Sequence, residues 1–360
     1  MKKIVTILGA RPQFVKAAVL SRVIASYQEI EEIIVHTGQH YDNNMSAVFF
    51  EEMQIPIPKY QLNINGMNHG AMTGQMLEKV EEILIKEQPN AVVVYGDTNS
   101  TLAGALAAQK LGIKVVHIEA GLRSFNMRMP EEVNRILTDR ISSLLLCPTD
   151  SALENLNKEG FQHHNIRIVK SGDIMKDAVV FYRQMAETKA TVLQQQKLKS
   201  NDFVLATIHR QENTDDITVL KKIFEGLTAI HQQKQVVMPL HPRTKAVLKK
   251  NGLEYPITFI DPVGYFDMLA LLKHCSLVVT DSGGLQKEAF FNQKNCLIAR
   301  QETEWTELVT YGFAVLVASN PQKMFQKFIE FATKKMDFSL PLFGHNVGEE
   351  VYKEIKAILD

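Results

Sequence analysis

The stretch AVVVYGDTNSTLAGALAAQKLGIKVVHIEA, residues 91–120, decides the fold. It opens on the apolar run AVVVY and closes on a second, KVVHI. Runs this short and this rich in valine fit strands covered on both faces. Between them STLAGALAAQKLG reads as a helix. Strand, helix and strand in direct succession describe one crossover unit of a parallel sheet.

The same alternation extends in both directions. KKIVTIL and EIIVHT precede the stretch, SLLLCP and IRIVKSG follow it, and all read as strands. AVLSRVIASY, TGQMLEKVEEILIKEQ and SALENLNKEG read as the helices between. Over about residues 175–202 the pattern gives way to a polar, Gln-rich, helical connector. A second alternating set then begins: FVLATIHR, QVVMPLH, ITFID, SLVVTDSG, NCLIAR and AVLVAS. The final GEEVYKEIKAILD reads as a helix crossing back to the first set. The expected fold class is therefore α/β, with two Rossmann-like domains and a cleft between them. The expected domains are residues 1–172 plus 346–360, and residues 173–345.

Composition removes several function classes. The 360 residues carry 40 Lys plus Arg and 40 Asp plus Glu, a formal net charge of zero. That leaves no electrostatic case for nucleic acid as a partner. No apolar run reaches the length of a membrane span, and MKKIVTILGA reads as a buried strand rather than a secretory signal. Cys147, Cys275 and Cys296 are scattered and odd in number. They fit a reducing, cytoplasmic setting and form no zinc or disulfide pattern.

Ligands of doubly wound sheets bind beyond the carboxyl ends of the strands. Those ends here are GARP (9–12), TGQH (37–40), GDTNST (96–101), EAGLR (119–123), IHRQEN (208–213), LHPRT (240–244), DPVGY (261–265) and TDSGG (280–284). Nearly all are polar or glycine-rich. Arg11 and Lys16 suit a pyrophosphate, in a turn that is neither a Walker loop nor GxGxxG. Ser282, Gly283 and Gly284 open a helix whose free N–H groups favour phosphate, and Glu288 could reach ribose hydroxyls. Ser282 is equally a plain N-cap. His209–Arg210 and His241–Arg243 end neighbouring strands and suit an anion; their spacing matches no metal motif. Asp97 and Glu119 end two strands of the first set. Residues 119–135 add Arg123, Arg128, Glu131, Glu132 and Arg135. Glu131 and Arg135, at i, i+4, are also explained as a helix-stabilising pair.

Together the motifs GARPQFVKAA, HTGQHYD, YGDTNSTLAGALAA, HIEAGLRS, MPEEVNRILTD, HRQEN and TDSGGLQKEA resemble the non-hydrolysing UDP-N-acetylglucosamine 2-epimerases over nearly the whole length. The resemblance implies a GT-B-like two-domain fold with UDP in the cleft. It implies interconversion of UDP-2-acetamido sugars at C2, feeding surface polysaccharide such as lipopolysaccharide O-antigen. It also implies a homodimer and no cofactor or metal. Asp97, Glu119, Glu131, Lys16, Arg135 and His209 take catalytic roles under it. Arg11, His241, Ser282, Gly283, Gly284 and Glu288 take the UDP-binding ones.

Three positions depart from the best-known members. Trp305, in TEWTE, replaces an arginine. Met268 replaces an aromatic residue near uracil. Gln211 stands where many bacterial members carry an arginine linked to regulatory substrate binding. GARPQF, SFNMRMPEE, PLHPRT, GGLQKEAFF and TEW are similar to the branch acting on UDP-2,3-diacetamido-2,3-dideoxyglucuronate. There a further cation would serve the C6 carboxylate, with Arg123 and Arg128 as candidates. UDP-N-acetylglucosamine is the alternative substrate. A hydrolysing epimerase, a glycosyltransferase and a non-enzymatic nucleotide-sugar sensor are more distant readings.

Overall fold

The computed structural model describes residues 1–39, 50, 51 and 53–360. His40, Tyr41 and Asp42 of the HTGQHYD motif lie outside the described residues. The chain divides into two compact units, Met1–Ala178 with Pro341–Asp360, and Val179–Leu340.

The first unit is built on a seven-stranded sheet. Its strands are β1 (Lys2–Leu8), β2 (Ile30–His36), β3 (Tyr60–Gln61), β4 (Ala91–Tyr95), β5 (Lys114–Ile118), β6 (Leu144–Cys147) and β7 (Arg167–Lys170). The order is β3-β2-β1-β4-β5-β6-β7, and every pairing is parallel. The order reverses between β1 and β4, so the loops after these strands diverge and leave a crevice at their carboxyl ends. The quoted valine runs are fully buried in β4 and in most of β5. Ile7, Val92, Val94 and Val115 pack with Ala105 and Ala108 of the Asn99–Lys110 helix in one core. That helix approaches β1 so closely that a Cβ on Gly9 would sit 1.9 Å from Ser100 Oγ.

The unit is completed from far along the chain. The Val347–Leu359 helix packs on the Arg11–Tyr27 helix. Tyr352 stacks on Tyr27 at 4.5 Å, and a Cβ on Gly348 would meet Val19 Cγ1 at 2.8 Å. Lys2 Nζ donates to the Leu359 carbonyl at 2.5 Å.

The second unit repeats the plan. Its strands are β8 (Phe203–Thr207), β9 (Gln235–Pro239), β10 (Thr258–Ile260), β11 (Leu277–Thr280), β12 (Cys296–Ile298) and β13 (Ala314–Leu316). They are ordered β10-β9-β8-β11-β12-β13, all parallel. The reversal falls between β8 and β11, whose ends are joined by a Thr207–Thr280 hydroxyl contact of 2.6 Å. The connector between the two sheets is helical at Ile174–Lys189 and Val192–Gln195. The α/β fold class read from the alternation is the one observed. Among the described residues no helix is long and apolar enough to cross a membrane.

Candidate active site

At the switch point of the first unit four charged side chains meet. Lys16 comes from the helix after β1, Asp97 from the loop after β4, and Glu119 from the end of β5. Arg135 comes from the Pro130–Ile141 helix. Lys16 Nζ donates to Glu119 Oε2 at 2.5 Å, and both side chains are nearly enclosed. Arg135 donates through Nη2 to Asp97 Oδ2 and through Nη1 to the Glu119 carbonyl. Its Nη2 also lies 3.9 Å from Glu119 Oε1. Burial opposes the charge on Arg135, yet Asp97 and Glu119 outweigh it and raise its pKa. The result is two carboxylates held by two cations in a largely desolvated pocket. Asp97 is the most open of the four, with its side chain 31% exposed.

The backbone is shaped for this meeting. Glu119 itself adopts φ 70°, and Gly96, before Asp97, adopts φ 63°. A left-handed conformation costs a non-glycine residue about 1–3 kcal/mol and persists only where the surroundings impose it. A Cβ on Gly96 would point at Glu119 Oε1, 3.5 Å away. Buried Gln13 ties β1 to β4: its Oε1 accepts from the Gly9 and Ala10 amides at 2.8 and 3.0 Å. Its Nε2 donates to the Tyr95 carbonyl at 2.7 Å. Asn134 Nδ2 donates to the Asp97 carbonyl at 3.0 Å.

Two expectations for this region divide. Arg135 turns towards Asp97 and Glu119, and Glu131 makes no ion pair among the described residues; it is exposed on the first turn of its helix. The candidacy of Arg123 for a substrate carboxylate is overturned. Its Nε and Nη2 bind both oxygens of Glu159 at 2.7 and 2.9 Å. Its Nη1 donates to Asp139 Oδ2 at 2.7 Å and to the Leu122 carbonyl at 2.8 Å. Four of its five N–H donors are taken, two carboxylates hold its charge, and the side chain is only 1% exposed, so it is closed to a ligand. Arg128 stays exposed. Arg11 is the half-buried first residue of its helix.

In the second unit, buried Asp281 organises the switch point. Its Oδ2 accepts from the backbone amides of His209 and Arg210, each at 2.9 Å, and from Asn213 Nδ2 at 3.0 Å. The end of β8 is thereby fixed beside β11, and His209 Nδ1 lies 3.6 Å from Asp281 Oδ1. The His209 and His241 rings face each other, 5.2 Å between centroids. Burial, with His209 and Arg243 nearby, lowers the His241 pKa. His241 Nδ1 accepts the Arg243 amide at 3.2 Å, so a neutral ring presents Nε2–H as a donor. The Gln211 side-chain amide lies 3.2 Å from both Nη atoms of Arg243, and with its oxygen turned to them it would accept from both.

Ser282 caps the Gly283–Phe291 helix, its Oγ accepting the Leu285 amide at 3.4 Å. A Cβ on the next residue, Gly283, would sit 2.0 Å from Glu304 Oε1 and would have to displace that side chain. Glu304 pairs with Arg300 at 2.9 Å. Burial opposes its ionisation, but Arg300 first, then its own backbone and Arg210, lower its pKa. Trp305 is buried, with Lys287 Nζ 4.3 Å from its ring centroid. Gly284 is exposed and Glu288 half-exposed on the same helix.

Sequence reading passed over Gln13, His117, Asn134, Asp139, Asp281 and Glu304. Asp139 had a signal, one helical turn beyond Arg135 within MPEEVNRILTD. Asp281 had another, immediately before the capping serine. Among the described residues, no group of three or more His, Cys, Asp or Glu could hold a metal ion.

Comparison with known proteins bears on this arrangement. The family model described as UDP-N-acetylglucosamine 2-epimerase matches residues 22–353. The chain is 55% identical over 318 residues to the UDP-2,3-diacetamido-2,3-dideoxy-D-glucuronate 2-epimerase of Pseudomonas aeruginosa, covering 88% of each. It is 41% identical over 361 residues to the UDP-N-acetylglucosamine 2-epimerase of Methanocaldococcus jannaschii, covering 98% of each. A crystal structure of the M. jannaschii UDP-GlcNAc 2-epimerase in complex with UDP-GlcNAc and UDP aligns with a TM-score of 0.89 at 40% identity. The alignment covers 99% of this chain and 100% of that one.

Proposed function

The chain belongs to the UDP-N-acetylglucosamine 2-epimerase family, and from that membership we propose that it inverts C2 of a UDP-2-acetamido sugar. The proposed conversion takes UDP-2,3-diacetamido-2,3-dideoxy-D-glucuronate to its D-mannuronate epimer. The 55% identity to the P. aeruginosa enzyme supports this substrate. Identity of 41% to an enzyme named for UDP-N-acetylglucosamine supports that sugar as the second reading.

C2 of such a sugar carries no adjacent carbonyl, so its bare carbanion is out of reach. Elimination avoids it. As a base removes the C2 proton, the C1–O bond breaks and UDP leaves with the electron pair. The remaining sugar is a 2-acetamidoglucal, with a double bond between C1 and C2. Protonation of C2 from the opposite face and return of UDP to C1 complete the inversion. The acid and base are drawn from Asp97, Glu119 and Glu131, and no cofactor is required. Lys16 and Arg135 balance the carboxylate charge and face the developing anion, with electrostatic stabilisation as the main term. By the family resemblance His209 joins the catalytic groups, and Arg11, His241, Ser282, Gly283, Gly284 and Glu288 are the UDP-binding positions. Arg128, exposed in the loop before the Pro130–Ile141 helix, is the cation offered to the C6 carboxylate.

The observation that carries this reading is the junction of Lys16, Glu119, Arg135 and Asp97 at the β1/β4 switch point. We also propose a cytoplasmic homodimer supplying polysaccharide synthesis, including lipopolysaccharide O-antigen. The proposal rests on the family resemblance and on three buried, unbridged cysteines.

The test offers both UDP-sugars side by side in D2O, followed by NMR. Deuterium at C2 of both epimers of the uronate is the expected result. Epimers recovered without label sink the elimination route. Turnover of UDP-N-acetylglucosamine alone transfers the assignment to the second substrate.

A further inference from the structure

Behind the carboxylates lies a buried chain of four ionisable groups that the reaction scheme does not use. His117, on β5, is enclosed on all sides. Both of its ring nitrogens face acceptors. Nδ1 is 2.7 Å from Asp139 Oδ1, and Nε2 is 2.7 Å from the carbonyl oxygen of Gly96. A backbone carbonyl has no proton to give, so Nε2 carries one. The Nδ1 contact then needs one more, on the ring or on Asp139.

The surroundings of Asp139 decide between them. Its Oδ2 already accepts Arg123 Nη1 at 2.7 Å and the Gly121 amide at 3.2 Å. Two donors already converging on one oxygen of the carboxyl group, one of them a guanidinium, favour its anion. Burial opposes ionisation, yet the His117 hydrogen bond and the charges of His117 and Arg123 lower its pKa. With the proton on the ring, charges alternate along His117, Asp139, Arg123 and Glu159 and sum to zero. The chain reaches solvent only at Glu159, whose side chain is 26% exposed. The sum is zero with the proton on either partner, so the choice rests on the Arg123 and Gly121 donors at Asp139 Oδ2, which hold the carboxyl as its anion. Cys147, also near Asp139, adds no charge, since burial raises its thiol pKa.

This chain holds two turns. Through the His117 ring, Asp139 fixes the carbonyl of Gly96, the residue before Asp97. Directly, it fixes the amide of Gly121, two residues after Glu119. Gly96, Glu119 and Gly121 all have positive φ, at 63°, 70° and 78°. Such conformations need outside restraint, and one carboxylate supplies it to both strand ends.

We propose that His117 carries both ring protons and that His117 and Asp139 are positioning residues for Asp97 and Glu119. The positional half of this proposal rests on the reading of those carboxylates as the groups acting at C2. It makes Asp139 the common anchor of two side chains from different strands.

The test combines spectroscopy and kinetics on the full chain. In 15N-edited NMR, one histidine is expected to show two slowly exchanging ring N–H protons, absent in His117→Phe. A single ring N–H on His117, with the second proton on Asp139, overturns the protonation. His117→Phe and Asp139→Asn are each expected to lower kcat by about 10²-fold, the scale of an ångström's misplacement, with KM little changed. Unchanged kcat in a folded His117→Phe protein overturns the positioning role. If the variant does not fold, the wild-type ring spectrum still decides the protonation. Asp139→Asn, with its circular dichroism checked, then decides the positioning. Failure of deuterium incorporation in the wild-type enzyme rejects the elimination reading and leaves the ring spectrum standing alone.

Discussion

Glu131 and Glu132 are neighbours in the chain and opposites in environment. One residue along a helix turns the side chain by about 100°, which carries Glu131 out to solvent and Glu132 inward. Glu132 accepts the amides of Ser124 and Phe125, each at 2.9 Å, and the Ser124 hydroxyl at 3.1 Å. It pins the loop in which Phe125 takes φ 59°. The two glutamates should therefore fail in different assays. Glu131→Gln is expected to lower turnover by orders of magnitude while the thermal midpoint holds. Glu132→Gln is expected to lower stability by about 1–3 kcal/mol, the cost of disturbing a buried hydrogen-bonded acceptor. Near-normal turnover in Glu131→Gln removes it from the chemistry. This contrast was beyond the sequence. MPEEVNR marked a charge-dense helix start, but helix rotation, which no local spacing fixes, decides which glutamate is buried. Arg123 was hidden for a related reason: its partner Glu159 lies on a segment remote in sequence.

Edge strand β3 shows how a weak element is kept in place. It spans only Tyr60–Gln61, too short to register as a strand in the sequence. Its anchor is Glu87, at the far end of the His69–Glu87 helix. Glu87 Oε1 accepts Tyr60 Oη at 2.5 Å and Lys59 Nζ at 2.7 Å, and Oε2 accepts Lys3 Nζ at 3.3 Å. The Lys59 hydrogen bond first, then that of Tyr60, lowers its pKa from 4.5 to about 2 against the effect of burial. A carboxylate more acidic when folded stabilises the fold fully above its unfolded pKa. That stabilisation is lost as pH falls through the folded value. The wild-type protein should thus exceed Glu87→Gln in stability at neutral pH, and the gap should close between pH 4.5 and about 2. Denaturant midpoints at several pH values read it directly. A gap that is constant with pH would show the carboxylate's charge to be irrelevant.

At the scale of the whole molecule, the alternation of valine-rich runs and helices was enough to give two parallel α/β sheets. Strand burial on both faces writes itself into composition, which is why β1, β4, β8 and β11 are legible. The strand orders are a different matter. The reversals at β1/β4 and β8/β11 arise from long-range pairing, which leaves no local trace. So the sequence could mark the strand ends but not which of them adjoin. The Val347–Leu359 helix belongs to the same scale. Removing residues 347–360 would uncover the face of the Arg11–Tyr27 helix and the Tyr27 ring. That truncation is expected to lower the thermal midpoint of the first unit and increase binding of a hydrophobic dye. A truncated chain with wild-type melting would mean the helix is dispensable. On the ribosome this arrangement sets an order of events. All 162 residues of Val179–Leu340 are translated before the helix that covers Tyr27 and Val19 exists. The half with the proposed nucleotide site can mature while the half with Asp97 and Glu119 still waits for its closing segment. A nascent chain stalled short of that helix carries the carboxylates on an unfinished scaffold, exposed to proteases and chaperones.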